Sequence, residues 1–182
     1  ILQECGFRTV VCSPFKDQDP AAFGGYDPQP LPQEIRDAVY KSLHYRLMAH
    51  TAEDLCEFCM PKAELARCGH DDVRHGFALY FPDTCPTFDI KELEAQVHEI
   101  IAKDVPITYV DDGHISIGDS IQPCTGPRVH VPHTGLIQNF RLMDHFIYDR
   151  FKKRYLLVGC VGEKSDELLK KLDNRRQMPG WD

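Results

Sequence analysis

The sequence predicts an α+β domain, and three observations carry that expectation. Behind Pro32, the residues Ile35, Val39, Leu43 and Leu47 recur every four positions, a stripe of helical period that runs on into the 50s. Gly76 to Phe81 alternates as a strand does and stops at Pro82, while two short apolar runs, Ile107 to Val110 and Ile115 to Ile117, flank the turn dipeptide Asp112-Gly113. Helix and strand patterns then mix without strict β-α-β alternation, which is the mark of the α+β class.

The elements follow in order. Residues 7–12 read as a strand closed by Ser13-Pro14, and the proline- and glycine-bearing stretch 16–32 reads as a linker over the surface. The long helix comes next, then the strand at Gly76. Asp89 with Glu92 three residues on makes a capping-box start for a helix whose inner face is Leu93, Val97, Ile100 and Ile101. The Asp112-Gly113 hairpin leads into a Pro/Gly-rich loop, 117–134, which opens into an expected strand at Gly135 to Leu142. Tyr155 to Val161 is a buried strand. Ser165 then caps a last helix with Leu168, Leu169 and Leu172 inside and basic residues towards its end. There is no internal repeat.

Composition narrows the function. The chain has 182 residues and a formal charge of -7, which excludes a uniformly basic nucleic-acid binder. The charge is uneven: residues 128–182 hold 11 basic and 7 acidic side chains, while the rest is strongly acidic. An acidic body with a basic last third predicts contact with RNA on one side and with proteins on the other. No apolar run approaches a bilayer span and the first residues lack a secretory pattern, so a soluble chain is expected. The 8 cysteines have no disulfide-scaffold spacing and several lie in apolar stretches, which predicts free thiols in a reducing compartment.

Three constellations could carry chemistry. Cys56-Glu57-Phe58-Cys59, with Cys68 and His70 behind, has the donor types of a tetrahedral zinc site, but its spacing is irregular, and Cys85 and His75 compete for the same role. The expectation is therefore free thiols, no resident metal and no cofactor. A histidine set (His70, His75, His114, His130, His133, His145) lies near Asp71, Asp72, Asp111 and Asp112. No two histidines are four residues apart, so no helix presents a same-face pair, and most of the set is expected at the surface. Ser116 and Ser120 lack a nucleophile elbow, and no phosphate-binding glycine loop is present. The third is the loop Cys124-Thr-Gly-Pro-Arg128-Val-His130-Val-Pro-His133-Thr-Gly, in which prolines hold one cysteine and two histidines, as the rim of a ligand site would.

This loop resembles the Cys-Arg-Gly-Pro-His-Val-Pro-x-Thr-Gly segment of the N-terminal editing domain of threonyl-tRNA synthetases. The stretch Gly76-Phe-Ala-Leu-Tyr-Phe, then Phe88-Asp-Ile-Lys-Glu-Leu-Glu through Ile100-Ile-Ala-Lys-Asp-Val-Pro-Ile107, is similar to the strand and helix that precede that motif. Residues 1–20 resemble the end of the small ubiquitin-like domain in front, which leaves 21–182 as an editing-domain-like unit with a basic C-terminal extension. The resemblance is strongest to the mitochondrial large-subunit ribosomal relative of this synthetase region. It implies a long helix packed on a mostly antiparallel sheet.

The departures from the family set the expected function. Editing members place two histidines one helical turn apart on the long helix, with a cysteine and histidine from Cys-x-x-x-His. Here Cys124 matches the cysteine, the position four later is Arg128, and His130 is displaced by two. His44 and His50 are six apart, about 240° around a helix. The resemblance therefore implies a pocket remnant at Cys124, His130 and His133 with no catalytic residue. The expected function is a structural component of the mitochondrial large ribosomal subunit, binding rRNA and mitochondrial ribosomal proteins, with no small-molecule substrate. Lys152, Lys153, Arg154, Lys170, Lys171, Arg175 and Arg176 are the expected RNA contacts. Two alternatives stand beside it: a free-standing deacylase for mischarged seryl-tRNA, and a zinc-stabilised interaction module.

Overall fold

A computed structural model describes residues 33–73, 75–111, 113–124 and 130–176. The expected strand at 7–12, the linker at 16–32 and the ubiquitin-like end at 1–20 lie outside the described residues. The described residues from 37 onwards form one compact unit.

Helix α1 runs Gln33–Cys59, 27 residues, as the four-residue stripe predicts. Of that stripe, Leu43 is 37% exposed and Leu47 is half-buried against the core, whereas Tyr45, Met48, Ala49, Ala52, Leu55 and Cys56 are buried. A spacing of four advances 400° and drifts about 40° per step, so Leu43 and Leu47 lie at the edge of the buried face. The short helix α2 (Lys62–Leu65) then leads to strand β1 (Gly69–Val73), antiparallel to β2 (Gly76–Pro82). Helix α3 spans Ile90–Lys103, and its N-cap Asp89 accepts from the amides of Lys91 and Glu92. Ile90, Leu93 and Val97 are buried, with Ile100 and Ile101 packed at the margin.

Strands β3 (Ile107–Asp111), β4 (His114–Ile117) and β5 (Ser120–Pro123) form a small antiparallel sheet, so the hairpin is present and the expected 117–134 loop begins with a strand. The expected strand at Gly135 to Leu142 is mostly absent. A 3₁₀ turn covers Thr134–Leu136, Asn139 takes φ 47°, and only Arg141–Leu142 pair, as β6. Asp104 explains the turn: it ends α3 in the left-handed region, and its carboxylate accepts from the Gly135 amide at 2.7 Å and from the His133 ring. Thr134 Oγ1 adds a donation to Ile100 O at 2.9 Å and accepts from Val105 N at 3.0 Å. These bonds bind the turn to the end of α3.

Strands β7 (Ile147–Asp149) and β8 (Arg154–Cys160) complete the larger sheet. Its order is β1-β2-β8-β6, with β7 pairing β8 beside β6, and every pair is antiparallel. The last helix, α4, is Ser165–Arg176; Leu168 and Leu169 are half-buried and Leu172 is exposed. One core draws Met48, Ala52 and Leu55 from α1, Phe77, Leu79 and Phe81 from β2, Val97 from α3, Ile115 and Ile117 from β4 and Leu157 from β8. The class is α+β, with helices packed on antiparallel sheets.

Candidate active site

The middle of α1 presents His50 and Asp54 on one face, one turn apart. Strand β5 delivers Cys124, whose amide donates to Gly113 O at 2.7 Å. His130 arrives from the segment beyond and is fixed by its neighbour, since the Val131 amide donates to Thr51 Oγ1 at 3.0 Å. The four side chains converge. His130 Nε2 lies 2.6 Å from Asp54 Oδ2 and 4.0 Å from Cys124 Sγ, and its ring centroid is 4.9 Å from that of His50. Tyr109 of β3 places its hydroxyl 3.2 Å from His130 Nδ1. In a neutral ring this network puts the proton on Nε2, donated to Asp54, and leaves Nδ1 to accept from Tyr109.

Burial separates the roles. The His130 side chain is 1% exposed and that of Asp54 14%. Asp54 also lines a cavity of about 220 Å³, together with Glu57, Phe58, Leu65, Ile115, Ile117, Gln122 and Pro123. The walls are largely apolar, the space suits a small side chain, and Asp54 is the site's polar face towards it. His50, Cys124 and His130 stand buried behind.

His50, Asp54 and His130 each offer a donor atom, all within 4.8 Å of one another, and imidazole with carboxylate suits a divalent cation such as zinc. A bound cation there would polarise an ester carbonyl or a water molecule.

A second cluster adjoins the first. Glu53 is fully buried on α1, and its carboxylate lies 2.9 Å from His70 Nδ1 on β1 and 3.9 Å from His50 Nδ1. Glu57 also reaches His70 Nδ1 at 2.9 Å. The two carboxylates push the His70 imidazole up to about 11, so it is a fixed cation. Burial raises the Glu53 carboxyl above its usual range, with His70 pulling it back.

The sequence expectations fare unequally. Cys124 and His130 do come together, the two-residue displacement notwithstanding. His133 leaves the pocket and turns to Asp104 on the surface. As the spacing of His44 and His50 implies, α1 presents no same-face pair of histidines; the group one turn from His50 is a carboxylate, Asp54. Its signal in the sequence is His50-Thr-Ala-Glu-Asp54, a carboxylate one turn after the histidine. Tyr109 left no recognisable trace in the sequence. Among the described residues, the donor groups that gather are His50-Asp54-His130 and Glu53-Glu57-His70, so Cys56, Cys59 and Cys68 form no ligand set with His70. Burial pushes the Cys59 thiol to about 11, Cys68 to about 12 and Cys56 well above the ordinary range, which makes all three weak nucleophiles near neutral pH.

The expected RNA contacts also divide. Lys152 and Lys153 are exposed at the β7–β8 turn, and Lys170 is exposed on α4. Lys171 is exposed but paired with Glu167 at 2.5 Å. Arg154 does not point outward: it reaches Asp71 at 3.3 Å and Asp149 at 3.6 Å and lies 4.0 Å over the Tyr80 ring. Arg175 and Arg176 close α4, with side chains outside the described residues.

Against this geometry, residues 114–167 match the family model of the threonyl and alanyl tRNA synthetase second additional domain. The matched span carries Cys124 and His130, while His50 and Asp54 lie before it on α1. The match agrees with the editing-domain-like α+β fold and makes the segment similar to that synthetase domain. No curated protein matches the chain. Among the described residues no helix is long and apolar enough to cross a membrane.

Proposed function

We propose that the protein is an aminoacyl-tRNA deacylase, with mischarged seryl-tRNA as the substrate that the resemblance implies. One observation carries this reading: Asp54 stands between a small apolar cavity and the buried His50, Cys124 and His130. In ester hydrolysis a water oxygen attacks the carbonyl carbon. The bond to the ribose oxygen then breaks, and the water's protons end on the ribose hydroxyl and the solvent. Asp54 faces the cavity, so it positions and polarises that water. His130 donates to the same carboxylate and holds its orientation, and Tyr109 holds His130 from the other side.

The test is hydrolysis of seryl-tRNA by the purified chain. The expected result is turnover above the spontaneous rate that Asp54→Asn lowers by about 10²- to 10³-fold. No turnover, or full turnover in Asp54→Asn, overturns the proposal.

The non-catalytic reading, a component of the mitochondrial large ribosomal subunit bound to rRNA and mitochondrial ribosomal proteins, keeps one observation in its favour. The helix carries a carboxylate where editing members carry a second histidine, and the remaining donors are buried. Salt-resistant co-sedimentation of the chain with the large subunit in organelle lysate, together with absent turnover, is the result that selects it.

A further inference from the structure

We propose that the tip of the β7–β8 hairpin is a platform for single-stranded RNA, with Phe151 stacking on a base and Arg150, Lys152 and Lys153 taking the flanking phosphates. Phe151 is 94% exposed, the most exposed large apolar side chain among the described residues. An aromatic ring held almost wholly in water forgoes the gain of burial, so its position gives no stability to the fold. Three cations surround it in sequence, all exposed, and among the described residues none of them forms an ion pair.

The tip is built rather than loose. Asp149 Oδ1 accepts from the amides of Phe151 at 3.0 Å and Lys152 at 3.1 Å, and Lys153 takes φ 49° to turn the chain back into β8. Arg154, next in line, folds inward and sets its charge against Asp149 and Asp71. The acidic groups at the base of the hairpin are thereby partly offset, and the three exposed cations of the tip face outward on a chain whose formal charge is -7. A ring between fixed cations complements a polyanion that also offers flat π faces, which is the chemistry of unpaired nucleotides. An acidic peptide would meet the cations and leave the ring in water. The inference rests on the RNA-directed reading of the domain, and it is independent of whether the ester is hydrolysed.

The experiment is fluorescence anisotropy of the whole chain with a labelled, non-acylated 12-nucleotide RNA over graded salt. Phe151→Ala is expected to weaken binding by about 5- to 150-fold, and Phe151→Trp to retain it. Lys152→Gln with Lys153→Gln is expected to flatten the log–log salt dependence by about 1.4. Because the ring is in solvent, the thermal midpoint of each variant stays that of the parent. Displacement of the probe by uncharged tRNA or by ribosomal RNA fragments supports the platform, and the stronger competitor identifies the source. Binding unchanged in Phe151→Ala overturns the proposal, as does displacement by neither RNA. It is also overturned if Phe151→Ala abolishes binding to phosphatidylserine vesicles and spares RNA. The probe carries no ester, so a failure of the deacylase reading and a failure of the platform show in different assays.

Discussion

Thr51 joins the fold to the site, and removing its hydroxyl tests both. The residue is fully buried on α1; its Oγ1 donates to Leu47 O at 2.8 Å and accepts from the Val131 amide at 3.0 Å. Thr51→Val keeps the shape and leaves the buried Val131 N–H without an acceptor. An orphaned buried donor costs about 1–3 kcal/mol. For a chain of this size each kcal/mol moves the melting point by about 2–4 °C, so a fall of about 2–12 °C is expected by differential scanning calorimetry. Thr51→Ser retains the acceptor and loses one buried methyl, about 1 kcal/mol, and should melt between the two. Val131 adjoins His130, so Thr51→Val should also slow seryl-tRNA hydrolysis through displacement of the ring. A valine variant that melts with the parent, or above the serine variant, would refute the assignment of Thr51 as the tether.

Caps, close packing and buried charge elsewhere in the fold lead to further expectations. Asp89→Ala removes the cap that accepts from Lys91 N at 2.8 Å and should cost about 1 kcal/mol in urea unfolding, with Asp89→Asn close to the parent. Gly159→Ala would set a Cβ 2.2 Å from the buried Phe77 ring and should destabilise by about 1–3 kcal/mol, partly relieved by Phe77→Leu. His70→Gln leaves Glu53 buried without its cation and should cost about 2 kcal/mol near neutral pH, less than for a wholly buried pair because His70 is 47% exposed. The His70 pKa is raised from 6.5 to about 11, so the parent's advantage over His70→Gln is full below pH 6.5. It shrinks as pH rises and vanishes near 11, which a series of chemical denaturations across pH would trace.

Elements that bury one clean face were legible in the sequence, and those stabilised by neighbours were not. Helix α3 declared itself through Asp89 and the spacing of Leu93 and Val97, and β2 and β8 through their apolar runs. Strand β1, Gly-His-Asp-Asp-Val, is an edge strand of polar residues held by its pairing with β2, and nothing in its own composition marks it. Strand β5 ends in a proline and reads as loop for the same reason. Leu136, Ile137, Phe140 and Leu142 look like a strand because they are apolar. They are packed by a 3₁₀ turn whose polar atoms are satisfied by Asp104, 31 residues from Gly135, a pairing that local pattern cannot show. On α1 the buried face carries Thr51 and Glu53, which obscured its register. At the site, the loop motif marks Cys124 and His130, while no motif marks Asp54, because a donor of different chemistry fills the position one turn from His50.

The contact between Glu53 and His70 also bears on how such a sequence can change over generations. Either residue replaced alone leaves an uncompensated group at the centre of α1 or against β1, whereas an apolar pair of similar volume at both positions would be close to neutral. The two codons are therefore expected to drift as a unit. In descendants of this chain, His70 should be lost in those lineages where Glu53 is lost as well, while Glu57, which is half-exposed, should vary more freely.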